Sequence, residues 1–305
     1  PVEITEPDSY YFVVTTSNAA GTSPKRGAKK FVGPDTPKAP TQMVITLNGS
    51  DITLQWSSIS SSGVNNGSVN TSAVTYTLTR YPDAKVLVDG ENVRKFVDHI
   101  DVPEKRTDYY YTLTASSSGL TSEAYKSATL SFGPIEPPFS EDFAASTSMA
   151  GWSMTGKDGA ASKWAYYSYD KALRAYGSAG FDDWAFSPAI IAKAGTNYPI
   201  TLSVKTSSYA EETFDICWGT EPTAEAMTNV ILADQKLKST SPTEFKGEIT
   251  ADKDSKIYVG IHAKTESKSN ALYVLSFNIG EGLVTSVPAT VTDFKAESPV
   301  NGARE

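Results

Sequence analysis

The chain has 305 residues, 39% of them hydrophobic and 20% charged, with a formal net charge of −8 and a single cysteine, Cys217. Such a balance suits folded material and excludes a disordered chain. The lysines and arginines are dispersed, which argues against nucleic acid as a partner. One cysteine forbids an internal disulfide, and no apolar run approaches the ~18 residues that a membrane span requires.

Short runs of alternating Val, Ile, Thr, Tyr and Phe with turn residues between them predict an all-β chain. The first run, Tyr10-x-Phe12-x-Val14-x-Thr16 followed by Gly21 and Ser23, recurs 99 positions later as Tyr109-x-Tyr111-x-Leu113-x-Ala115 followed by Gly119 and Ser122. That period is close to the ~100 residues of an immunoglobulin-like sandwich. A joint follows each copy, Phe31-Val-Gly33-Pro34-x-x-Pro37 and Phe132-Gly133-Pro134-x-x-Pro137. Proline-rich joints of this kind stiffen the connection between neighbouring units.

Between the copies lies one complete unit. Strands are predicted over residues 43–47 and 52–56, joined across Asn48-Gly49, a strong hairpin signal. Further strands are predicted over 74–78, 86–88, 94–97, 109–115 and 125–132, with turns at Pro82-Asp83 and Asp89-Gly90, making seven. With Trp56 at a second-strand core position and Tyr109 opening the sixth strand, residues 38–133 resemble a fibronectin type III domain. The resemblance implies that Tyr109 is a corner tyrosine whose hydroxyl ties back to upstream backbone. By the same pattern, residues 1–36 read as the last strands of a preceding, partial module. Residues 286–305, with Pro288-Ala-Thr-Val-Thr-Asp-Phe294, read as the first strand of a following one. The chain is thus expected to be an internal piece of a longer array.

Residues 138–282 differ in character. Four of the five tryptophans fall here, three of them, at 152, 164 and 184, within one short stretch among tyrosines, acids and glycines. Alternating strands are predicted over 198–204, 213–218, 229–232, 245–249, 256–262 and 272–279, with one or two helical turns over 221–227, where Pro222 stands near the first helical position. The motifs Phe139-Ser-Glu-Asp-Phe143, Gly151-Trp152, Trp164, Tyr176-Gly-Ser178, Asp182-Asp-Trp184-Ala-Phe-Ser-Pro188-Ala-Ile190 and Val259-Gly-Ile-His262 resemble the jelly-roll domains called cleaved-adhesin or choice-of-anchor J domains, which are MAM-like. The resemblance implies an extracellular β-sandwich used in adhesion or glycan contact, often with a structural calcium ion. The last strand departs from the family's pattern, with Leu275-Ser-Phe-Asn278 where an acidic residue is expected.

Two sets of residues carry the chemistry. Calcium takes about six to eight oxygen ligands, and Glu141, Asp142, Asp183 and Asn278 are the candidate donors, a set only the fold could assemble. The plainer alternative makes Asp182 and Asp183 solvated turn residues and gives Asp142 a role capping a strand entry. Trp164, Tyr166, Tyr167 and Tyr169 are the candidate ligand-binding rings. Alternation on a strand sends Trp164 and Tyr166 to one face and Tyr167 and Tyr169 to the other, so one pair belongs to the core and only the other can meet a sugar; the plainer alternative makes both pairs core or scattered surface rings. Catalysis is not expected: His99 and His262 are the two histidines, they fall in different units, and no Ser-His-Asp or zinc set can be built from them. Cys217, in the alternating run 214–218, reads as a buried, inert thiol. Asn48, Asn66 and Asn70 each head an N-x-[ST] triplet.

The expectation is therefore a non-catalytic adhesion or binding fragment of a secreted or surface-anchored bacterial protein. The jelly roll contacts a glycan or a cell-surface protein, and the fibronectin-like units act as spacers. The alternative is an accessory binding region of a large secreted glycoside hydrolase or protease whose catalytic domain lies elsewhere.

Overall fold

A computed structural model describes residues 3–178, 180–207, 211–266 and 270–284. The expected strand over 288–294 lies outside these residues. Within them the chain is all-β, built of antiparallel sheets, and its helical content is three short 3₁₀ turns. Residues 221–227 form no helix. They make a turn closed by the Ala226 and Met227 amides on the carbonyls of Thr223 and Ala224, because tertiary packing overrides weak local propensity there.

At the N-terminal end, Asp8–Val14 pairs with Arg26–Val32 as an isolated two-stranded sheet, and Tyr11, Phe12, Val13 and Val14 are exposed on it. The repeat seen in sequence is a repeat of hydrogen bonds. The Ser23 amide donates to the Thr16 carbonyl while its hydroxyl accepts from the Thr16 amide; Ser122 does the same with Ala115. The corner contact distributes differently from expectation. Tyr10 ties its hydroxyl to the Glu6 carbonyl at 2.8 Å, whereas Tyr109 lies against the guanidinium of Arg80. In the second copy the buried, tied hydroxyl belongs to Tyr111, which donates to Asp98 at 2.9 Å. Asp98 in turn accepts Nη1 of Arg80 at 2.9 Å. This buried ion pair is sealed by a third polar partner, the condition under which a charge tolerates burial.

Residues 43–132 form two sheets. One holds Met43–Asn48, Asp51–Trp56 and Lys95–His99. The other has Thr107–Ser117 at its centre, beside Thr75–Tyr81, which pairs in turn with Lys85–Glu91. The strand expected over 125–132 is broken in two, because the Ser127 hydroxyl takes the Tyr111 amide in place of a backbone carbonyl. Asp89-Gly90 does not turn the chain. It forms a bulge inside Lys85–Glu91, where Gly90 adopts φ 65°.

Residues 139–284 form a two-layered sandwich. In the first layer the order is Trp164–Tyr167, Ala172–Tyr176, Ala271–Ile279, Thr196–Thr206, Thr243–Ala251, with Phe139–Glu141 beside Ala271–Ile279. Leu283–Val284 extends that layer past residue 282. In the second layer the order is Ser153–Thr155, Asp183–Phe186, Ser255–Ala263, Glu212–Gly219, Asn229–Leu237, with Ile190–Ala192 beside Ser255–Ala263. Several successive strands cross from one layer to the other, and their inward residues fill the space between, including Trp152, Phe143 and Phe277 with Trp152 edge-on to Phe277. The tip of the hairpin at residues 48–51 reaches this sandwich: the Gly49 amide donates to the Trp152 carbonyl at 2.7 Å, and Asn48 Oδ1 accepts the Met154 amide. Asn48 is therefore a contact between the sandwiches.

Candidate functional site

Among the described residues Trp164–Tyr167 is an edge strand of the first layer, paired with Ala172–Tyr176 in the register Trp164↔Ala175 and Tyr167↔Ala172. Alternation along it divides the four candidate rings. Trp164 is buried and donates its indole N–H to the Asp183 carbonyl of the opposite layer at 3.0 Å. Tyr166 packs against the same core, and that burial pushes its hydroxyl pKa up. Tyr167 points to the outer face, and Tyr169, in the turn that follows, is 86% exposed with its ring centroid 6.3 Å from that of Tyr167. The core pair is thus Trp164 and Tyr166, and the outward pair is Tyr167 and Tyr169.

Sequence reasoning missed what surrounds that outward pair. Cross-strand pairing aligns Arg174 with Tyr273 and Tyr273 with Lys205, a row across three strands on the outer face. The Arg174 guanidinium lies 3.7 Å from the Tyr167 ring centroid and 4.8 Å from that of Tyr176. The Lys205 ammonium sits 5.2 Å from the centroid of Tyr273 and pairs with Asp170 at 2.6 Å. Beneath the rings are Ala172 and Ala271, both fully covered, which with Tyr167, Tyr273 and Leu275 form an apolar cluster separate from the main core. The small alanine side chains leave room for large rings to lie down on the sheet. The outward alternation Arg174-x-Tyr176 and Tyr273-x-Leu275 was a signal in the sequence, but only pairing brings the two segments side by side.

The proposed calcium donors are not brought together. Glu141 and Asp142 each turn an oxygen onto a nearby backbone amide, those of Phe143 and Ala144. Asn278 accepts from the Ser140 hydroxyl. Asp183 belongs to the other layer, where its buried carboxylate accepts the amides of Lys163 and Asp182. Among the described residues no three carboxylate, imidazole or thiolate groups converge. Pairing sets Glu141 and Asn278 on neighbouring strands of one sheet, with Asp142 just after the first, and Asp183 in the other sheet. Asp142 accepts the Ala144 amide in the turn after Phe139–Glu141, where the plainer alternative had it capping a strand entry, and Asp183 is a buried strand residue.

His262 and His99 lie in separate sandwiches. The ring of His262 stacks on Trp184 at 4.2 Å, with Nε2 2.9 Å from Asp182 and Nδ1 3.7 Å from Asp215. The imidazole and Lys157 hold the Asp182 carboxyl below its usual range. His99 is exposed beside Asp51. Burial pushes the Cys217 thiol up to about 11, so it is neither a nucleophile nor a ready metal ligand near neutrality. A groove of about 890 Å³ runs between the two sandwiches, lined by Met43, Ile45, Leu47, Met154, Trp164 and Tyr166 among others, with no charged side chain in its wall.

No family model matches the sequence, and no curated protein matches it. Among solved structures, the K3 cleaved adhesin domain of Lys-gingipain from Porphyromonas gingivalis is 14% identical, covering 47% of this chain and 96% of that one with a TM-score of 0.38. The K1 cleaved adhesin domain of the same protein is 16% identical over 46% of this chain and 96% of that one, TM-score 0.36. The CBM22-1 xylan-binding domain of Paenibacillus barcinonensis Xyn10C is 16% identical over 49% of this chain and 95% of that one, TM-score 0.35.

Proposed function

We propose that the chain is a non-catalytic binding segment of an extracellular or cell-surface protein, and that it grips a glycan on the outer face of the first layer of residues 139–284. What supports this reading is the outward aromatic surface of half-buried Tyr167 and exposed Tyr169 and Tyr176. It is laid over an apolar cluster that serves no role in the core between the layers. A sheet that needs only one face for its core ordinarily carries scattered polar side chains on the other. Rings grouped on that side offer flat apolar faces to the C–H face of a sugar ring, with polar edges left for its hydroxyls. The sandwich of residues 43–132 serves as a spacer and meets the opposite layer, through Gly49 on Trp152 and Asn48 on Met154.

The test is a glycan array followed by titration of the best-binding oligosaccharide. Replacing Tyr167 and Tyr169 together by alanine should weaken binding about tenfold or more, since each ring contact is worth roughly 0.5–1.5 kcal/mol. The thermal midpoint should barely move for Tyr169→Ala alone, because Tyr169 is almost fully exposed, and circular dichroism establishes that the double variant, which also loses the half-buried Tyr167, is folded. Affinity that survives the double substitution sinks the proposal.

A further inference from the structure

On the outer face, Arg174 has no polar partner among the described residues. Lys205 is matched by Asp170. Among the described residues no group accepts a hydrogen bond from Arg174 or forms an ion pair with it, and its Nε is buried without a partner. A guanidinium presents five N–H donors in a fixed plane. Leaving a buried donor unsatisfied is costly unless something else meets it. Here the plane is held by the rings of Tyr167 and Tyr176. Stacking uses the faces of the guanidinium and, with Nε covered by protein, leaves the Nη1/Nη2 edge for a planar acceptor. Side chains already ordered by packing lose little further freedom on binding, which favours a preformed fork.

The geometry points to an anionic sugar as the ligand of this face: Arg174 takes a carboxylate or sulfate through its N–H edge while Tyr167 and Tyr169 take the sugar ring. This inference rests on the glycan reading and narrows it. The chain as a whole is acidic, at −8, so its long-range field repels polyanions. Any preference for an acidic over a neutral glycan must then come from local contacts, and Arg174 is the unpaired cation among the aromatic rings. A bidentate, charge-assisted contact with a carboxylate is about twice as strong as a neutral one, whereas cation–π packing alone gives no reason to prefer an acidic ligand.

The experiment uses the full chain and two pairs of probes: polygalacturonate against its fully methyl-esterified form, and dextran sulfate against dextran. Binding is read by affinity electrophoresis and calorimetry. Wild type should bind one acidic member at least tenfold more tightly than its neutral partner, and which pair shows the preference tells carboxylate from sulfate. Arg174→Gln should abolish the preference, and Arg174→Lys should keep only part of it, because the point charge remains while the fork is lost. Circular dichroism and the melting midpoint of both variants establish that they are folded. Equal binding of acidic and neutral probes, or a preference that survives Arg174→Gln, overturns the inference. If the neutral probes bind through Tyr167 and Tyr169 with no acidic preference, the glycan reading stands and the acidic narrowing falls. If no probe binds, both fall.

Discussion

The two joints of this chain, Gly33-Pro34-Asp35 and Gly133-Pro134-Ile135, begin from one backbone and end in opposite chemistry. Both glycines have positive φ, 106° and 121°. At both, a Cβ would collide with a proline, Pro7 in the first and Pro103 in the second, at 2.9 Å. Glycine is required there on both counts. Two residues on, each chain inserts a side chain into the sandwich that follows. Asp35 is 2% exposed and its carboxylate accepts the amides of Asn65 and Gly67, both at 2.8 Å, and the Asn65 side chain at 3.0 Å. Ile135 is completely buried, and its backbone alone makes the polar contacts: its amide donates to the Ala189 carbonyl and its carbonyl accepts from Ile191. The docking point is thus set by the Gly-Pro backbone, while the means of holding it is chosen by what the next sandwich presents. A loop of free amides at 65–67 calls for an acceptor, and a packed strand at 190–192 calls for an aliphatic group.

The largest effect should come from forcing one chemistry on the other. Ile135→Asp buries a carboxylate with no donors and should cost at least about 3 kcal/mol. The cost would be seen as a lower melting midpoint and as new proteolytic cleavage near residues 133–138, and a variant as stable as wild type would break the comparison. Asp35→Ala leaves the Asn65 and Gly67 amides without their acceptor and should cost about 2 kcal/mol. Amide hydrogen exchange should then speed at those two residues while Ile191 stays protected. Uniform loss of protection at both joints would mean that they are not independent.

The smallest and most discriminating effect is on pH dependence. Burial raises the Asp35 pKa, but the amides of Gly67 and Asn65 outweigh it and hold the group below the usual 3.8. A depressed folded pKa contributes stability that is fully present above the unfolded value and is lost as pH falls through the folded one. Protection at Asn65 and Gly67 should therefore fade in acid below about pH 4, and Asp35→Asn should remove that dependence. The Ile135 joint should show none in the same window.

Much of this was legible in the sequence because it is local. The alternation of residues 109–115 predicts a strand with one buried side, and Tyr111, Leu113 and Ala115 are its buried residues. The repeat was legible because Ser23 and Ser122 act on backbone only seven positions away. What was misread depends on partners distant in sequence. Tyr109 occupies the expected corner position, but Asp98 and Arg80 make Tyr111 the tied hydroxyl. Glu141, Asp142, Asp183 and Asn278 come from separate segments, and only pairing shows Glu141 and Asn278 on neighbouring strands and Asp183 in another sheet. Arg174 and Tyr273 went unnoticed because they are separated by about a hundred residues and meet only across a ladder.

The sequence by itself determined that the chain is all strand, where its repeat and joints fall, and that Tyr167 and Tyr169 take the opposite side of their strand from Trp164 and Tyr166. A period of two assigns residues to two faces, and it carries no information about which face another layer will cover. Only the tertiary structure decided that, by closing the second layer over Trp164 and leaving Tyr167 on the outer face, half-buried beside Arg174. Side-chain alternation is a property of one strand, whereas burial and cross-strand neighbours are properties of the sheets that strand joins.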